Sequence, residues 1–221
     1  MKTVSTEAFS RALMHVCRLV IASEPELTRL DNIVGDGDHG LGMKDGFTEL
    51  LSVLQTTAFQ NFHELTRTTG MALVKSMGGA SGVIFGTLFI GGHDAVVALD
   101  GSYLRELTAD DLRKYFRRSA EAISHRGRAQ ANDRTMLDAL LYACQAMEDS
   151  DTDDVTQLLL AASDGAQRGV EATKTLRPRL GRSKNFREQA ISWPDPGAVS
   201  TSIIFRGLWE GLCAEETEGR R

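Results

Sequence analysis

Three aspartates within eight residues, Asp31, Asp36 and Asp38, carry the first chemical signal of this chain. Two carboxylates about 4 Å apart repel by roughly 4 kcal/mol at an effective dielectric of 20, and a cation between them relieves that charge. Hard oxygen donors select Mg²⁺, Mn²⁺ or Ca²⁺ rather than Zn²⁺. Gly35, Gly37 and Gly40 in the same stretch allow tight turns and close backbone approach to a ligand. An EF-hand is excluded, because twelve-residue loops begun at Asp31 or Asp36 end on Gly42 or Phe47 instead of the bidentate Glu. A solvated acidic turn is the competing reading of the segment taken alone.

Three further blocks suit anions. Met77-Gly78-Gly79-Ala80-Ser81-Gly82 opens into Val83-Ile84-Phe85. A glycine-rich loop entering a helix presents unpaired N–H groups and the positive end of the helix dipole to phosphate. It is neither a P-loop nor a GxGxxG turn, and close helix packing through small residues would explain it equally well. Gly127 with Asp133-Arg134-Thr135-Met136 and Asp138 could hold an anion at a helix start, with Met136 against a flat base or simply in the core. Arg177, Arg179, Arg182, Lys184 and Arg187 precede Asp195-Pro196-Gly197-Ala198, a basic stretch suited to polyphosphate or to solvent. There is no GxSxG, no HExxH and no Cys/His signature. His15, His63, His93 and His125 read as packed or surface residues.

The elements that must position these blocks are helical. Phe9, Leu13, Val16 and Val20 recur at helical spacing, as do Leu137, Leu140, Leu141, Cys144 and Met147, and again Leu158, Leu159, Ala162, Ala166 and Val170. Sustained apolar/polar alternation is absent. The spacing and turn signals predict eight or nine helices, near 3–22, 25–33, 40–57, 60–77, 81–98, 108–126, 133–149, 153–177 and 196–214. Thr108-x-x-Asp111 reads as a capping box, Asp133 as a cap for the helix carrying Met136, and Asp195-Pro196 as a helix start. Residues 178–194 are the one long non-periodic piece and read as a lid loop. The expectation is one all-α domain over 1–221, with antiparallel helices and the glycine-rich loops at one end.

A chain of 221 residues is long enough for a single core that buries roughly 70% of its unfolded surface. A net charge of −5 supplies no global field to draw a polyanion, which argues against nucleic acid as partner. Cys17, Cys144 and Cys213 are far apart and set among apolar residues, as expected of buried thiols in a reducing cytoplasm. The charge-free stretch 76–93 contains six glycines and reads as a buried helix instead of a membrane span.

The blocks LDNIVGDGDHGLGM, MGGASGVIFGTLF, TMLDAL, and GRS followed by DPGAVS resemble the ADP/ATP-binding L subunit of dihydroxyacetone kinase. They occur in that family's order from residue 30 to about 202. The resemblance implies a closed all-α barrel of eight antiparallel helices with a nucleotide at one end, its phosphates held through two Mg²⁺ ions. By residue match, Asp31, Asp36 and Asp38 would be the Mg²⁺ ligands. His39, Gly40, Leu41, Gly42, Ala80 and Ser81 fall in nucleotide-contacting stretches, and Gly127 and Met136 would line the adenine side. Arg182, Asp195, Pro196 and Gly197 would close over the nucleotide.

The resemblance further implies a phosphotransferase subunit, assembled as a homodimer or hetero-oligomer. Its acceptor is a short ketose held covalently on the histidine of a separate K-type subunit. The donor is either freely exchanging ATP or bound ADP recharged by a phosphocarrier of the phosphotransferase system. The family often has Asn at the position of Gly42, and typically reads Pro-Gly-Asp-Lys-Thr-Met where this chain has Ala131-Asn132-Asp133-Arg134-Thr135-Met136. These departures would suit a subgroup acting on a longer ketose such as a tetrulose. Competing expectations are a fatty-acid-kinase-like nucleotide domain, which usually has Thr where this chain has His39, and a non-catalytic docking module with permanently bound ADP.

Overall fold

The computed structural model describes residues 1–218; the side chains of Arg187, Glu188, Glu216 and Glu218 lie outside the described residues. The first apolar stripe forms helix α1 (Thr6–Ala22), burying Phe9, Leu13, Val16 and Val20. The Ser5 hydroxyl accepts the Ala8 N–H at 3.2 Å and so fixes the helix start. Thr3–Ser5, expected as helix, is instead a short strand β1, antiparallel to β2 (Glu106–Thr108), with Val4 opposite Leu107. Three residues are too few for alternation to register in the sequence, yet Val4 and Leu107 are both buried.

The remaining helices are α2 (Glu24–Val34), α3 (His39–Thr56), α4 (Phe62–Met77), α5 (Gly79–Ile90), α6 (Ala109–Gly127), α7 (Met136–Glu148), α8 (Val155–Thr173) and α9 (Pro196–Glu218). α5 ends at Ile90, short of the expected residue 98. Two poor helix formers, Gly91 and Gly92, interrupt it before a 3₁₀ turn at His93–Val96. The capping box at Thr108 and Asp111 opens α6 as expected. α7 is capped by Thr135 with Asp138, not by Asp133, whose carboxylate accepts the Gln130 N–H at 2.8 Å.

Packing closes the chain into a ring. α1 lies on α3, then α4, α5, α6, α7, α8 and α9 follow in turn, and α9 packs back on α1; α2 sits outside against α3. The closing seam is tight, since a side chain at Gly211 would meet the Ala12 Cα at 2.7 Å. Inside lies one continuous apolar cluster that includes Phe47, Phe62, Phe116, Leu140, Leu159 and Phe205. Each such fully buried side chain contributes about 1.5–3 kcal/mol. Among the described residues no helix is long and apolar enough to cross a membrane.

Candidate functional site

Asp31 sits in the last turn of α2 and is buried, whereas Asp36 and Asp38 are exposed at the turn into α3. One carboxylate oxygen from each lies within 4.8 Å of the other two. Sequence spacing over eight residues becomes a cluster because the chain reverses here around Asp31. Asp31 Oδ2 accepts the backbone N–H of His39, the first residue of α3, at 3.1 Å. A Cβ at Gly35 would stand 2.0 Å from Asp31 Oδ1, so only glycine leaves room for that carboxylate. Burial, then the Asp36 and Asp31 charges, push the Asp38 carboxyl above its ordinary value.

Two long-range contacts tie the cluster to the C-terminal third. Arg182 Nε donates to Asp36 Oδ2 at 2.9 Å. His39 Nε2 lies 2.8 Å from the Ser200 Oγ on α9. Burial lowers the tendency of the His39 imidazole to protonate.

The cluster stands at the edge of a cleft of about 500 Å³ at one end of the ring. Asp31, Asp36, Asp38, His39, Ala80, Ser81, Gly127, Met136, Arg182, Asp195, Pro196 and Gly197 all line it. Gly40, Leu41 and Gly42 do not. Gly40 packs against α2, where a Cβ would meet the Thr28 Oγ1 at 2.1 Å; Leu41 is 52% exposed; Gly42 faces the Met77 carbonyl. The first turn of α3 thus carries one face to the cleft, through His39, and turns the next residues away.

Charged and apolar parts of the cleft are separate in kind. Carboxylates and Arg182 supply the ionic part, while Ile84, Ile123, Met136 and Leu180 supply apolar wall. Ile123 and Leu180 carried no local signal, because an apolar residue on a helix or in a loop reads as core until its neighbours are known. Arg126 was likewise missed; it lines the cleft with Nη1 3.4 Å from the Thr87 Oγ1. α9 begins at the cleft, where Asp195 Oδ2 accepts the Ala198 N–H at 2.9 Å. Burial raises the Asp195 carboxyl to about 6, against the opposing pull of Arg134.

Residues 178–194 are more structured than a solvated loop. They contain 3₁₀ turns at Arg182–Asn185 and Arg187–Ala190, and Ser183 and Ala190 are buried. Ser192 N–H donates to the Lys174 carbonyl at 2.8 Å.

A model of the DAK2 domain matches residues 33–210, a span that includes most of the cleft. The chain belongs to the DAK2-domain family. Within that family it is 36% identical over 203 residues to the PEP-dependent dihydroxyacetone kinase ADP-binding subunit DhaL of Escherichia coli (strain K12), covering 90% of this chain and 93% of that relative. It is 31% identical over 207 residues to the ADP-binding subunit DhaL of a second such kinase, from Listeria innocua, covering 92% and 94%. Among solved structures, the DAK2-domain fold superposes on the dihydroxyacetone kinase of C. freundii in complex with AMP-PNP and Mg²⁺ with a TM-score of 0.71 at 26% identity. That match covers 94% of this chain and 34% of the solved one, so this chain spans about a third of that kinase's length.

Proposed function

We propose that this protein is the nucleotide-binding, phosphoryl-donating subunit of a kinase for dihydroxyacetone or a related short ketose. The observation that carries the reading is the convergence of the Asp31, Asp36 and Asp38 oxygens within 4.8 Å at the edge of a cleft with apolar walls. Three hard, anionic oxygens gathered in this way fit Mg²⁺. When bound, Mg²⁺ supplies charge neutralisation for the nucleotide phosphates.

The chain's own residues do the rest by positioning. Ala80 and Ser81 lie at the N-terminal turn of α5, whose dipole favours phosphate. Gly127, Met136, Ile84 and Ile123 offer an apolar slot for a base. Arg182, already at the acidic cluster, is placed to counter phosphate charge. No acid/base pair is needed, because phosphoryl transfer depends mostly on positioning and electrostatics. The ketose acceptor belongs on a separate K-type subunit, docked at the cleft end. The names of the relatives, which pair "PEP-dependent" with "ADP-binding subunit", support a bound ADP recharged by a phosphocarrier over freely exchanging ATP.

The test is Mg²⁺-dependent ADP binding by Asp36→Ala and Asp38→Ala proteins, followed calorimetrically beside far-ultraviolet circular dichroism. The expected result is loss of binding with helicity intact. Affinity equal to that of the unmodified protein would overturn the assignment.

A further inference from the structure

Arg134 is the largest fully buried side chain of the molecule's described residues and also lines the cleft. Its backbone is in the left-handed region, φ 61°, which a residue with a Cβ adopts at a cost and keeps only where its surroundings hold it there. The surroundings are the Asp138 carboxylate, which accepts the Asn132 N–H at 2.5 Å and the Thr135 N–H at 2.8 Å and so fixes the residues on either side. This geometry turns the guanidinium inward, away from the solvent an arginine usually reaches.

What the guanidinium meets is the segment that leads into α9. Arg134 Nη2 donates to the Ala190 carbonyl and to the Trp193 carbonyl, both at 2.9 Å. Nη1 faces Asp195 Oδ1 at 4.0 Å, while Nε and Nη1 have no hydrogen-bond partner. Residues 192–194 line an open groove of about 630 Å³, and Asp195–Gly197 line the 500 Å³ cleft. Between buried Ala190 and buried Asp195 the segment is exposed at Ser192 and Trp193, and there it depends on its tethers. Two others are the Ser192 N–H to the Lys174 carbonyl and the Asp195 N–H to the Thr173 Oγ1, both on the α8 side. Arg134 alone, among the contacts given above, ties the segment to the α7 side, where Met136 walls the cleft.

We propose that Arg134 is a positioning residue for the nucleotide cleft: its buried guanidinium holds the Ala190–Asp195 segment so that Asp195, Pro196 and Gly197 face a bound adenine nucleotide. The inference rests on the function proposed above. A planar fork is suited to this task, since it donates to two carbonyls while presenting a further N–H edge to a carboxylate. Loss of a charge-assisted hydrogen bond to buried carbonyls is expected to weaken whatever the segment helps to bind by about tenfold or more.

The experiment uses Trp193 as reporter. The chain has two tryptophans, so Trp209→Phe leaves Trp193 as the only one. In that background, Mg-ADP affinity and Trp193 emission without nucleotide are measured for the parent, Arg134→Met and Arg134→Lys. The expected result is an Arg134→Met protein with altered Trp193 emission, as the loosened segment shifts the 39%-exposed indole from beneath the Arg29 guanidinium, and Mg-ADP affinity reduced at least tenfold. Arg134→Lys, able to satisfy one carbonyl as a point charge, should be intermediate in both. Affinity within twofold of the parent in folded Arg134→Met overturns the inference. So does a loss of affinity with Trp193 emission unchanged, since Arg134 would then act by another route. If Arg134→Met does not fold, Arg134→Lys decides by the same two readings, and parent-like values there overturn the proposal. A parent protein that binds no adenine nucleotide overturns the site assignment itself, before any substitution at Arg134 is read.

Discussion

Arg182 Nε donates to Asp36 Oδ2 across 146 residues of chain at 2.9 Å, bringing the basic stretch onto the acidic cluster. Both partners are open to solvent, Arg182 at 72% and Asp36 at 40% side-chain exposure. An exposed ion pair contributes little to stability, about 0–1 kcal/mol. Arg182→Ala should therefore leave the melting temperature nearly unchanged while weakening Mg-ADP binding. Calorimetric titration beside a thermal melt checks this, and a large drop in melting temperature would show that the contact is structural.

Asp195 makes stability depend on pH in an unusual direction. Its carboxyl rises from the ordinary 3.8 to about 6 in the fold, with burial the main cause. Between those values the folded state holds the proton more tightly than the unfolded state. Stability from this group is therefore fully present below about 4 and is lost as pH rises through 6, by about 3 kcal/mol at most. Arg134 and Asp138 are the charged groups that act on it. Urea unfolding of Asp195→Asn and the unmodified protein between pH 4 and 6.5 should show the difference between them changing in that sense.

Asp138 orders the cleft wall through two backbone N–H groups, those of Asn132 and Thr135. Asp138→Asn sets an NH₂ group against one of these donors. A cost of about 1–3 kcal/mol in unfolding free energy is expected. Denaturant midpoints measure it, and an unchanged midpoint would remove Asp138 from this role.

Gly211→Ala tests the closing seam of the ring. In an exposed helix this change stabilises by about 1 kcal/mol. Here the added Cβ would meet the Ala12 Cα at 2.7 Å and its Cβ at 3.0 Å. Backbone atoms cannot rotate away, so destabilisation of about 1–3 kcal/mol is expected, and a gain in melting temperature would contradict the seam.

The chain by itself determined most of the helices, because apolar residues at spacings of three and four make one buried face whatever lies opposite. It also determined the acidic cluster, since Asp31, Asp36 and Asp38 are close enough in sequence for a single turn to gather them. The starts of α6 and α9 were legible for the same reason, as caps act over three or four residues. Only the tertiary structure decided which residues meet across the ring. Ser200 reaches His39 from 161 residues away, and Ile84, Ile123 and Leu180 become one wall from three separate segments. The strands at Thr3–Ser5 and Glu106–Thr108 are defined only by each other. Arg134 shows the difference most clearly. Its position before Thr135 suggested an anion contact at a helix start; its burial, and the carbonyls of Ala190 and Trp193 that its guanidinium meets, were not legible there. Those partners lie 56 and 59 residues away, and local spacing carries no information about contacts at that range.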